Sequence, residues 1–152
     1  MNNTFGFTRG EFSRFIEGDR LRNNPQIIPD SPGIYAVMRK DDSTLVYIGQ
    51  ARGKIKTEPR SLRDRFIKDH FKKRARGSAL RRHVAIEMGI PLFRDHSGHL
   101  AADPKHEDKI SDFIDNRLRI AFLVGVWDDV KGMEEDAIRE LNPLWNVQHS
   151  VD

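Results

Sequence analysis

Hydrophobic positions along the chain change rhythm several times, and each change predicts an element. Phe12, Phe15 and Ile16 are spaced for one helical face, and Asn23-Asn24-Pro25 and Pro29-Asp30-Ser31-Pro32 then break the chain. Residues 1–30 are therefore expected to form a short helical extension. Two compact apolar runs follow, Gly33-Ile34-Tyr35-Ala36-Val37-Met38 and Thr44-Leu45-Val46-Tyr47-Ile48-Gly49. The polar Lys40-Asp41-Asp42-Ser43 between them predicts a β-hairpin. Ala51 to Pro59 reads as a polar loop. Ser61 can cap a helix running to about Arg74, and Ser78 a second one through Met88.

Residues 89–104 read as irregular, with a small hairpin around His96-Ser97-Gly98-His99. Asp108 to Asn116 reads as a helix with Ile110, Phe113 and Ile114 on one face. The unbroken run Ile120-Ala121-Phe122-Leu123-Val124, within Leu118–Trp127, predicts a strand buried on both faces and central in its sheet. Glu134 to Leu141 reads as a last short helix, stopped by Pro143. The sum is an α+β domain over residues 31–152, with a small, mainly antiparallel, three-stranded sheet flanked by helices.

Composition narrows the function. The 152 residues contain no cysteine, which removes disulfides, thiolate metal sites and cysteine nucleophiles. No stretch approaches the roughly 18–20 apolar residues of a membrane span. Met1 to Gly6 has neither the basic start nor the apolar run of a signal peptide. A soluble cytoplasmic protein with no membrane partner is expected.

The net charge of +3 conceals a strong asymmetry. Ala51 to Arg82 holds thirteen Lys and Arg against three acidic residues, and the rest holds thirteen against twenty. A basic block of this density suits a phosphate backbone, because each neutralised phosphate releases counterions. A solvated helical face is the plain alternative. Arg52, Lys54, Arg63, Lys72, Lys73, Arg81 and Arg82 are its candidate nucleic-acid contacts.

The only two tyrosines, Tyr35 and Tyr47, stand in Gly33-Ile34-Tyr35 and Tyr47-Ile48-Gly49. If the hairpin pairs around Asp41-Asp42, positions summing to about 82 face each other. The two tyrosines are then nearly opposite. A glycine at a strand end lets another group approach the backbone closely.

Gly-Ile-Tyr, a hairpin and then Tyr-Ile-Gly resembles the signature of the GIY-YIG nuclease superfamily. Ser61-Leu62-Arg63-Asp64-Arg65-Phe66 resembles its Leu-x-x-Arg helix. Glu134 followed by Ile138, Pro143, Leu144 and Asn146 resembles its closing glutamate helix. Trp145 in Pro143-Leu144-Trp145-Asn146 resembles restriction-enzyme members. The likeness spans about Pro32 to Asn146, as an ordered set of elements.

The resemblance implies a metal-dependent endonuclease on DNA, leaving a 5′-phosphate and a 3′-hydroxyl, with RNA left open. It implies that Tyr35 contacts or deprotonates the attacking water, with Tyr47 beside it. A free phenol has a pKa near 10 and is a poor base unless positive charge favours its phenolate, which the basic block could supply. Arg65 would hold the scissile phosphate by charge-assisted bonds, with Arg63 as competitor.

Glu134 shares the stripe of Ile138, Leu141 and Trp145 and should face inward, whereas Glu135 is spaced to pair with Arg139. A single inward carboxylate suits Mg²⁺, or another divalent cation such as Mn²⁺, with waters and phosphate oxygens completing the shell. Asn146 matches the family's asparagine near the site, and a backbone hydrogen bond after Pro143 is its alternative.

One feature departs from the family pattern. Many members carry histidine four residues after the arginine, where this chain has Asp69, with His70 one residue later. One residue turns a helical side chain by about 100°. His70 reaches the site only if the helix is wound differently there, and His83 is a second candidate. The displaced histidine motivates the rival reading, a binding module that keeps the fold without turnover. Oligomeric state and substrate specificity stay open.

Overall fold

The computed structural model describes residues 5–148. The chain begins with strands β1 (Gly6–Phe7), β2 (Gly10–Glu11) and β3 (Ile16–Glu17) and helix α1 (Gly18–Asn23). The hairpin follows as β4 (Gly33–Arg39) and β5 (Leu45–Ala51). Helix α2 (Leu62–Arg65) runs into a π-helical turn over Phe66–His70, and α3 spans Ala79–Glu87. After β6 (Leu92–Arg94) and β7 (Leu100–Ala102) come α4 (Glu107–Arg117), β8 (Leu118–Val124), α5 (Trp127–Leu141) and α6 (Leu144–Gln148). Among the described residues no helix is long and apolar enough to cross a membrane.

The fold is α+β, and the main sheet has four strands rather than the expected three, in the order β3-β8-β4-β5, all pairs antiparallel. Strand β8 is interior, as its unbroken apolar run requires. Ile120 and Phe122 enter one core with Tyr35, Val37, Leu62 and Phe66, and Ala121 enters the other with Ile34, Ala36 and Ile48. Helices α2, α3 and α4 cover the first face. Helix α5 covers the second through Val130, Met133 and Ala137.

The extra strand comes from the segment expected to be helical. Phe12, Phe15 and Ile16 do not share a helix; among the described residues of this segment, Gly18–Asn23 is α-helical and Pro25–Ile27 forms a 3₁₀ turn. Phe5 stacks on Phe12 at 4.8 Å and on Phe15 at 5.1 Å. Ser13 N–H donates to Phe122 O, and Ile16 pairs with Ile120. Aromatic stacking and an open sheet edge satisfy these residues better than a one-turn helix could. Described residues before Ser31 thus pack into the same cores as those after it.

Two further boundaries move. Helix α5 begins at Trp127, not Glu134, because Val130 and Met133 extend its buried stripe and Asp128 and Asp129 suit its N-terminus. It ends at Asn142, whose left-handed φ of 52° closes the helix before Pro143. The helix capped by Ser61 stops at His70 rather than Arg74. Helix α3, α4 and the β6–β7 hairpin lie where the pattern predicts them.

Candidate active site

The hairpin register sets the tyrosines. Tyr35 lies opposite Gly49 and Val37 opposite Tyr47, so paired positions sum to 84 rather than 82. The tyrosines are therefore diagonal neighbours on one face, with ring centroids 6.0 Å apart. The register explains the second signature glycine. A Cβ on Gly49 would stand 2.3 Å from Tyr35 Oη and 2.4 Å from its Cζ. The group that approaches this backbone closely is the Tyr35 ring itself.

Tyr35 is fully buried, and Tyr47 is half-buried beside it. Phe66 packs edge-on against the Tyr35 ring at 4.9 Å. Tyr35 Oη lies 2.7 Å from His70 Nε2, and His70 Nδ1 lies 2.6 Å from Ser78 Oγ. Ser78 Oγ also accepts the Arg81 N–H at 3.1 Å as the cap of α3. Tyr47 lies directly beside this chain and acts electrostatically on Tyr35. On its other side, Tyr47 meets His83, whose ring stacks on buried Trp145. Each candidate histidine thus contacts one tyrosine.

The π-helical turn brings His70 there. Phe71 N–H donates to Phe66 O at 2.8 Å, an i→i+5 bond that accommodates one more residue than an α-turn. The displacement between Asp69 and His70 is absorbed by this turn. Asp69, at the position where the resemblance places histidine, instead accepts from Arg65 Nη1 at 2.5 Å and pairs with Arg60 Nη1 at 2.8 Å.

Burial decides the protonation states. It raises the Tyr35 pKa well above the usual value, aided by Tyr47 and Glu134, with Arg65 opposing. The expected phenolate-favouring effect of the basic block is outweighed, because desolvation penalises the charged form more. Burial likewise pushes His70 well below the usual histidine value, aided by Arg65, Arg60, Arg81 and Arg82. At neutral pH the site rests as a phenol beside a neutral imidazole. Burial opposes the Arg65 charge, and the Asp69 carboxylate beside it restores it, so Arg65 stays charged next to the neutral phenol.

Glu134 is half-buried on α5 and near enough to act electrostatically on Tyr35, while Glu135 is exposed. Arg139 pairs with Asp136 at 2.6 Å. Among the described residues no group of three or more His, Cys, Asp or Glu converges. A lone carboxylate of this kind suits a cation that keeps waters and takes phosphate oxygens, the habit of Mg²⁺.

Asn146 acts on the backbone. Its Oδ1 accepts from Ile48 N at 2.8 Å and its Nδ2 donates to Ile48 O at 3.0 Å. This pair of bonds holds β5 between Tyr47 and Gly49, the backbone alternative that the sequence offered for Asn146.

The basic candidates separate clearly. Arg52 and Lys54 line a cleft with Arg60 and Arg65 at the end of β5. Lys72 is exposed, and Lys73 pairs with Asp108 at 2.5 Å. Arg63 turns away, donating to Ile28 O at 3.0 Å and Gln26 O at 3.3 Å. Arg82 donates to Ala75 O and Arg76 O. Arg81 is a correction. It is fully buried, ion-paired with Glu107 at 3.0 Å and bonded to His70 O and Ser111 Oγ, so no phosphate reaches it. It anchors the turn that carries His70. Arg60, Asp69 and Ser78 belong to the site and were not among the candidates. Ser78 was legible only as a helix cap, and its second hydrogen bond has no sequence signal.

With this geometry in place, comparison with known proteins is informative. The family model described as the GIY-YIG catalytic domain matches residues 21–152. No curated protein and no solved structure matches the chain.

Proposed function

Because the chain belongs to the GIY-YIG catalytic domain family, we propose that it is a phosphodiester hydrolase that cuts DNA endonucleolytically, working in the reducing cytoplasm that a cysteine-free sequence suits. The observation that carries the reading is the hydrogen-bonded chain Tyr35–His70–Ser78 with Tyr47, Arg65 and Glu134 beside it.

Tyr47 is the member of the pair that substrate can reach, since Tyr35 has no exposed surface. The attacking water donates to Tyr47. Tyr47 O–H donates to Tyr35, and Tyr35 O–H donates to His70 Nε2. His70 Nδ1–H donates to Ser78 Oγ, which fixes the tautomer that leaves Nε2 as acceptor. As water attacks phosphorus, the P–O3′ bond breaks, each proton of the relay moves one step and ends on His70, and the departing 3′ oxygen takes its proton from solvent, so no phenolate has to persist. The burial that raises Tyr35 and lowers His70 keeps the proton on the histidine only transiently. Arg65, held by Asp69, neutralises the phosphoryl oxygens. Glu134 would hold a divalent cation, which supplies Lewis-acid stabilisation of the charge that develops on the phosphate.

The test is nicking of supercoiled plasmid with Mg²⁺ and with EDTA, by wild type, Glu134→Ala, Tyr35→Phe and Tyr47→Phe. Metal-dependent nicking lost in all three variants is expected. Losing a positioned proton-transfer group costs about 10²–10⁴-fold. Equal cleavage by wild type and Glu134→Ala would refute the assignment. Cleavage of RNA but not of plasmid would move the substrate class.

A further inference from the structure

The cleft at the end of β5 has a volume of about 350 Å³ and is lined by Gln50, Arg52, Gly53, Lys54, Arg60 and Arg65. Two polar atoms of this lining, Gln50 Oε1 and Arg65 Nε, are buried without a hydrogen-bond partner. Seven side-chain atoms among the described residues are buried without such a partner, and these two belong to the lining of one cleft, where a single bound group could satisfy both. Arg52 is held without spending its N–H groups. Its guanidinium lies over the Trp127 ring at 4.1 Å, a contact made through the face of the group. Four cations line the cleft. The carboxylate nearest them, Asp69, is already shared between Arg60 and Arg65. Such a lining selects an oxyanion. Arg65 also acts on Tyr35, so whatever binds here lies next to the tyrosine chain.

We propose that this cleft is a subsite for the phosphodiester group adjacent to the one cut, with Gln50 and Arg52 as its binding residues; the proposal rests on the nuclease reading above. Rotation of the Gln50 amide about its last torsion places N–H where Oε1 now stands, so a phosphate oxygen resolves this orphan and offers Arg65 Nε an acceptor at once. Gln50 directly follows Tyr47-Ile48-Gly49 on β5, so the strand that carries the outer tyrosine also fixes the neighbouring phosphate. Contacts of this kind set the register of a strand in the site and carry no base preference.

The test measures binding in EDTA, where the metal-dependent cut does not proceed. A fluorescein-labelled 20-base-pair duplex is titrated with the full chain at several salt concentrations, followed by anisotropy. Wild type is compared with Gln50→Leu, Gln50→Glu and Arg52→Ala, each first checked by urea melting. Arg52→Ala should lower the salt slope by about one, the signature of one lost phosphate contact. Gln50→Leu should weaken binding about two- to tenfold with the slope unchanged. Gln50→Glu should be at least tenfold worse than Gln50→Leu, because a carboxylate cannot donate and repels phosphate. Wild-type affinity in Gln50→Glu, or an unchanged slope in Arg52→Ala, overturns the subsite. If wild type still nicks plasmid in Mg²⁺, the nuclease reading survives that outcome. A wild type that neither binds nor cuts defeats the nuclease reading itself.

Discussion

Gly49→Ala tests the packing on which the whole site depends. The added Cβ would meet three atoms of one ring, Tyr35 Oη at 2.3 Å, Cζ at 2.4 Å and Cε1 at 2.8 Å. Restoring ordinary contact requires a shift of about 1 Å. The ring has little freedom to make it, with Phe66, His70 and Tyr47 packed around it and its hydroxyl on His70. Overpacking a closed core costs about 1–3 kcal/mol, and losing the Tyr35–His70 bond adds about 1 kcal/mol. A destabilisation of about 2–4 kcal/mol follows, or a fall in Tm of about 5–15 °C for a chain of this size. Urea melts followed by far-ultraviolet circular dichroism give the value. Gly77→Ala is the control, since its nearest neighbours stand 3.7 Å away, and it should change stability by less than about 0.5 kcal/mol. If the two substitutions melt alike, the ring does not occupy the space beside Gly49 and the proposed relay loses its geometry.

Three further outcomes are expected. His70 is held neutral in the fold, well below the ordinary value of 6.5, so as pH falls below 6.5 the unfolded chain takes up a proton that the folded chain refuses. The stability this group contributes is complete above 6.5 and lost on acidification, by up to about 1.4 kcal/mol per pH unit, and His70→Gln should flatten urea midpoints measured between pH 7 and 5 by that amount. Arg81→Ala leaves Glu107 buried without its ion-pair partner and should cost about 3–5 kcal/mol in the same melts, while the folded fraction keeps wild-type affinity for duplex DNA; a tenfold affinity loss would return Arg81 to the surface. Asn146→Leu removes both bonds to Ile48 and should cost about 1–3 kcal/mol, and in plasmid nicking it should lower kcat more than it raises KM, because β5 carries Tyr47.

What the sequence disclosed, and what it hid, follows from the range of the interactions involved. The hairpin was legible because alternation and turn residues are local, and its two glycines and two tyrosines lie within seventeen residues. The register was missed by two: the β-bulge between Val37 and Met38 supplies one residue of the difference and the turn, with Met38 opposite Leu45, supplies the other, and neither leaves a mark in the pattern. The basic block was read too evenly. Counting charge along the chain cannot see that α3 buries Arg81 together with Leu80, Val84 and Ala85, since its partner Glu107 lies twenty-six residues away. The helical reading of Phe12 to Ile16 failed for the same reason, because the edge of β8 that receives this segment is a hundred residues distant.

The displaced histidine is the most instructive case. In an ordinary α-turn one position, four residues after Arg65, would face the site, and anchoring the arginine and accepting from the tyrosine would compete for it. The π-helical turn supplies two adjacent positions instead. Asp69 takes the guanidinium groups of Arg65 and Arg60, and His70 takes the phenol of Tyr35. The extra residue therefore divides two tasks between two side chains. It also separates the charge that holds Arg65 from the neutral group that accepts the proton in the proposed relay. Joining them in one residue would fail chemically, since a carboxylate charged enough to hold Arg65 is a weak proton acceptor, and an imidazole basic enough to accept cannot anchor a cation.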